Sequence, residues 1–71
     1  MVFVHRDATL VEACRLMRTC GTTELTVVTE AGGRVQPLGK VDAGDIAMRV
    51  VALELDPLVL TAGDIVLVHE S

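Results

Sequence analysis

The 71-residue chain, about 7.6 kDa with net charge −4, is the size of one small domain. It is 51% apolar, almost wholly aliphatic, with twelve Val, nine Leu and two Ile against a single aromatic residue, Phe3. Aliphatic richness argues against disorder, short apolar runs against a bilayer span, and the lack of Tyr, Trp and any basic run against nucleic acid. Val2–His5 is short, β-branched and aromatic, and reads as a strand, not a signal peptide. Thr9 followed by Glu12 forms a capping-box pattern, which satisfies two backbone donors at a helix start. Leu10, Ala13, Cys14 and Met17 then recur at helical spacing, and Gly21 suits the C-terminal stop. A first helix is expected over 10–20, with Cys14 on its core stripe.

Leu25–Glu30 and Arg34–Val41 read as two strands joined at Ala31-Gly32-Gly33, a hairpin turn. Pro37 has no N–H for a ladder, which places it at an edge or a bulge. A second helix starts at Asp42 as N-cap, carries Asp45 in its first turn and runs on until Pro57 ends it. An Asp45–Arg49 ion pair is expected at i, i+4. Ala43, Ile46, Ala47 and Val50 make one apolar stripe; Met48, Val51 and Leu55 make another. A helix on a small sheet needs one stripe, which leaves the second as a candidate homodimer face, with help from a face of the sheet. Thr61–Asp64 reads as a short capped turn and Val66–His69 as a final extended piece. The match between Val2-Phe3-Val4-His5 and Val66-Leu67-Val68-His69 allows 66–71 to be the start of a following repeat or a swapped strand.

Two cysteines are too few for a secreted disulfide framework, so Cys14 and Cys20 are expected as reduced thiols of a cytoplasmic protein. His5 and His69 lack the partners of a zinc site and are expected exposed at strand ends. No acid–base pair for hydrolysis, nucleophile, phosphate loop or metal cluster stands out among these residues.

Four stretches in fixed order carry a resemblance. They are Thr9-Leu10-Val11-Glu12-Ala13 with Leu16-Met17, Gly21 through Val28, Gly39 through Ala47, and Leu60 through Ile65. Over essentially its whole length the chain resembles the cystathionine-β-synthase (CBS) domain. The expected fold class is α+β, strand-helix-strand-strand-helix, a three-stranded sheet with two helices, and 1–71 is one such unit, half of a Bateman-type pair. The resemblance implies a regulatory module, not an enzyme and with no required cofactor, that pairs with a second CBS unit, a separate chain or a further repeat. The cleft between units would bind an adenine nucleotide (AMP, ADP or ATP) or S-adenosylmethionine. It places Gly39, Val41, Asp42 and Asp45, with Thr22, Thr23 and Leu25, at that cleft. Asp45 matches the acidic residue whose carboxylate accepts from ribose hydroxyls. Asp42 departs from the family, which usually has Thr or Ser there, and Thr26 stands where many members have proline. A carboxylate about 4 Å from a phosphate repels it by ~4 kcal/mol at an effective dielectric near 20; Lys40, Arg34 and Arg6 are the cations available to offset it. Two alternatives stand beside this reading: a ligand-free dimerisation module with a degenerate site, and an ACT-like small-molecule-binding domain, whose last strand Val66–His69 could supply.

Overall fold

The computed structural model describes residues 2–70, with side chains to Val66. The elements are β1 (Phe3–His5), α1 (Leu10–Cys20), β2 (Glu24–Ala31), β3 (Arg34–Asp42), α2 (Ala43–Ala52) and α3 (Ala62–Glu70). The sheet order is β1-β2-β3, with β1 parallel and β3 antiparallel to the central β2. This is the expected α+β class with one helix more.

Local chemistry sets most boundaries. Thr9 and Glu12 form the reciprocal capping box of α1, and Gly21 ends that helix in the left-handed conformation at φ 67°. Gly32 and Gly33, at φ 59° and 76°, make a two-residue hairpin turn that side chains would strain. Pro37 lies on the edge strand β3 beside a bulge: Val28 pairs with Pro37 and Val27 with Gly39, leaving Leu38 extra.

The helices cover one face of the sheet. Leu10, Ala13 and Met17 of α1, Ile46 of α2, and Ala62, Ile65 and Val66 of α3 pack on Val4, Leu25, Val27 and Val41. On the opposite face Phe3, Thr26, Val28, Val35, Pro37 and Lys40 line a shallow, uncovered depression.

Four expectations are corrected. First, Val66–His69 is not a strand but part of α3. Thr61 Oγ1 accepts from the Asp64 N–H at 3.3 Å and Asp64 Oδ2 accepts from the Thr61 N–H at 3.0 Å, so the supposed turn is the capped start of a helix. Ala62, Ile65 and Val66 then bury at helical spacing, which outweighs the strand propensity of the valines. The resemblance between 2–5 and 66–69 therefore joins a strand to a helix. The side chain of His69, expected at a strand end, lies outside the described residues; exposed His5 ends β1.

Second, α2 stops at Ala52, and Leu55 is half-buried beyond it. The Leu55 N–H donates to Val50 O at 3.1 Å, a Schellman-type closure with Glu54 left-handed at φ 53°. The chain turns back because tertiary hydrogen bonds claim it: Val11 N–H donates to Pro57 O and Leu10 N–H to Leu60 O. Glycine takes the Glu54 conformation without the steric penalty. Glu54→Gly is therefore expected to raise stability by about 0.5–1 kcal/mol, read as a higher urea midpoint at unchanged slope.

Third, Cys14 is exposed. The α1 face against the sheet is narrower than its sequence stripe, and Cys14 turns toward the gap between α1 and α2. Fourth, ion pairs among the described residues join His5–Asp7, Arg6–Asp7 and Lys40–Glu24; Asp45–Arg49 is not among them.

Candidate ligand-cleft site

The site expected at the end of β3 is built around the start of α2. Asp42 is its N-cap, and its Oδ1 accepts from the Asp45 N–H at 2.7 Å. The Ala43 N–H donates to Thr23 O at 2.9 Å, which ties the loop before β2 to the same helix start. Thr22, Thr23, Asp42 and Asp45 are thus brought to one end of the molecule. Thr22 is turned inward on its own loop: its Oγ1 donates to Glu24 O and accepts from the Glu24 N–H, both at 3.2 Å. Thr23 is exposed, and Asp45 is half-buried with no ion pair among the described residues.

The other expected residues stand differently. Leu25 and Val41 face each other across β2 and β3 and put their side chains in the core. They hold the site from beneath; only their backbone could meet a ligand. Gly39 sits mid-strand opposite Val27, three residues before Asp42. Of the three cations available to offset Asp42, Lys40 is 3.6 Å from Glu24 and Arg6 4.0 Å from Asp7. Arg34 stands beside the hairpin turn, at the opposite end of β3 from Asp42. The arrangement offers carboxylate acceptors for hydroxyls at Asp45 and a hydroxyl at Thr23. Asp42 caps its own helix, so the usual anion-binding use of a helix N-terminus is met by a carboxylate already in place.

The sequence reading expected help for pairing from a face of the sheet, and one face is uncovered, lined by Phe3, Thr26, Val28, Val35, Pro37 and Lys40. One surface feature escaped that reading, a groove between α1 and α2. Its signal was the small residues Ala43 and Ala47 in the stripe facing α1.

No protein-family model matches the chain, and no curated protein matches it. Among solved structures it is similar to "Crystal structure of Hypoxic Response Protein I (HRPI) with two coordinated zinc ions", with TM-score 0.81 and 26% identity over 93% of this chain. HRPI is a CBS-domain-type protein. The fold is CBS-domain-like. The chain spans about half, 51%, of that HRPI chain. The zinc ions belong to that protein: among the described residues here, no three His, Cys, Asp or Glu side chains come together to hold an ion. The described residues contain no fourth strand from the C-terminal end, which takes away the feature that favoured an ACT-like domain. No described helix is long and apolar enough to cross a membrane.

Proposed function

We propose that the chain is a regulatory CBS-type unit of the cytoplasm, without catalytic activity, that works as one half of a pair. The observation that carries this reading is its overlay: nearly all of this chain covers only about half of the HRPI chain, leaving room there for a second unit. Exposed apolar side chains support it, with Met48 71% and Val51 76% exposed on α2 and Phe3 and Val35 on the open side of the sheet. The partner is a second copy of this chain, docked through the outer ridge of α2, with Leu53 extending the surface past the helix end in place of half-buried Leu55. A dimer that unfolds to monomers melts higher as protein concentration rises. The melting temperature should climb across a hundredfold concentration range; a flat value counts against the pairing.

A finer reading adds an adenine nucleotide or S-adenosylmethionine in the inter-unit cleft. It is favoured by the bond from the Ala43 N–H to Thr23 O, which ties Thr23 to the start of the helix whose first turn carries Asp45. Asp45 would accept from the ribose hydroxyls. Because Asp42 repels phosphate, adenosine compounds with little phosphate charge should bind best. Millimolar S-adenosylmethionine or AMP is expected to raise the melting temperature more than ATP does, and Asp45→Ala should abolish the shift. If none of AMP, ADP, ATP and S-adenosylmethionine shifts it, the unit pairs without a ligand.

A further inference from the structure

Asp45 and Arg49 stand one turn apart on α2, the spacing that closes an ion pair within a helix. They do not close it, and among the described residues neither pairs with any other charge. Both are half-buried, and both line a shallow depression on the outer side of α2 with Met48, Ala52 and Leu53. Positions 45, 48, 49 and 52 follow the i, i+3, i+4, i+7 spacing of one helix face. That face has an apolar centre in Met48 and Ala52 and one charged edge. Its other edge is Val51, which also lines the groove against α1. The pairing ridge thus has two unlike sides, with an acid and a base in fixed order along one of them.

That order decides how two copies can lie. A two-fold pair sets the same patch on itself. An axis running along the helices would lay the charged edge of each copy on the Val51 edge of the other. Two carboxylates and two guanidinium groups would then lose water against valines, with no partner in return. An axis across the helices runs them in opposite directions. It lays charged edge on charged edge and valine edge on valine edge. Asp45 and Arg49 are four residues apart, about 6 Å along the helix at ~1.5 Å per residue. With the axis crossing midway between them, each Asp45 stands level with the partner's Arg49. The two copies of Met48 then lie side by side at the centre, and small Ala52 leaves room for the start of the partner's helix.

We propose that two copies of the chain pair with their α2 helices antiparallel, held in register by two ion pairs, each from Asp45 to the partner's Arg49. The inference rests on the pairing reading above and adds the orientation and the residues that set it. Apolar contact at Met48 and Val51 supplies affinity, and the charges choose the direction and exclude the parallel arrangement. Arginine suits the task, because its planar fork matches a carboxylate. Asp45 is also the carboxylate that the nucleotide reading gives to ribose. The partner therefore brings a guanidinium to the edge of that cleft, and the start of α2 is completed by the second copy. An ionised carboxylate has about four acceptor positions, enough for two ribose hydroxyls and a guanidinium N–H.

Charge exchange reads the register, with sedimentation of the full chain as the measurement. Asp45→Arg alone and Arg49→Asp alone each put four like charges at the contact, and each should weaken pairing at least ~tenfold. Both changes in one chain restore opposite charges across the two-fold. That exchanged chain keeps the natural net charge and composition, and should pair within about threefold of the natural chain. Mixed with the natural chain it should form no joint dimer, because acid then meets acid and base meets base. Arginine in the first turn opposes the helix dipole. Should the exchanged chain fail to fold, Asp45→Asn and Arg49→Gln take its place. Each alone should weaken pairing about fivefold, and the two together should weaken it no further. An exchanged chain that folds but pairs as weakly as the single variants overturns the proposal. So does one that joins the natural chain as well as its own kind, and so do neutral variants whose effects add or are absent. All three leave the pairing itself standing. A natural chain that stays monomeric ends the pairing reading, and this one with it.

Discussion

Leu25→Ala is expected to remove about 2–5 kcal/mol of stability, the range for truncating a fully buried leucine. Leu25 is 0% exposed, sits on the central strand and faces Val41 across the ladder. Its neighbours in the core come from every element of the fold, so no single helix can shift to fill the space. At roughly 0.05–0.15 kcal/mol per residue, a domain of this length has about 4–11 kcal/mol in hand. The substitution therefore consumes a large part of the total and should leave a population of unfolded chain at physiological temperature. Urea denaturation at fixed protein concentration measures it, with the midpoint falling by about 2–5 M for a slope near 1 kcal/mol per molar. Val35→Ala, on the open side of the sheet, should change stability by less than about 0.5 kcal/mol. A loss below about 1 kcal/mol for Leu25→Ala would show that the core is not closed around this strand.

The second large effect is on association. Met48→Glu with Val51→Glu puts two carboxylates per chain on the proposed pairing ridge, four in a symmetric pair. Both positions are on the exposed side of α2 and glutamate is a good helix former, so the fold itself should be undisturbed. Burying an unpaired charge costs several kcal/mol, so the dimer should weaken at least ~100-fold, about 2.8 kcal/mol. Circular dichroism checks the helices, and sedimentation checks the mass. A double variant that still pairs as tightly as the natural chain would move the interface away from α2.

How far the sequence could be read depended on the range of the interactions involved. The cap of α1, the Gly32–Gly33 turn and the Asp42 cap rest on residues within three positions of each other, and all three are where their patterns place them. The end of α2 is settled by hydrogen bonds from α1 to Pro57 and Leu60, about fifty residues apart in the chain, and no local pattern carries them. The third helix was legible in part: Thr61 and Asp64 form the same box as Thr9 and Glu12, but the valines after them weigh toward a strand. At the cleft, chain order brought Leu25 and Val41 together with Asp42 and Thr23, whereas the pleat turns the first two into the core. Strand alternation carries that distinction for these two, because Glu24 before Leu25 and both Lys40 and Asp42 beside Val41 are exposed. The groove between α1 and α2 depends on how two helices lie beside each other, which the stripes of either helix alone do not define.

The apolar surplus of the sequence is now located. Part of it fills a single core, and the rest stands on the outer ridge of α2, the segment after it and the open side of the sheet. The claim that this surplus is there for pairing is tested most directly by sedimentation equilibrium of the unmodified chain from low micromolar to millimolar concentration. A reversible shift from the 7.6 kDa chain to twice that mass is expected. A single 7.6 kDa species across the whole range would contradict it.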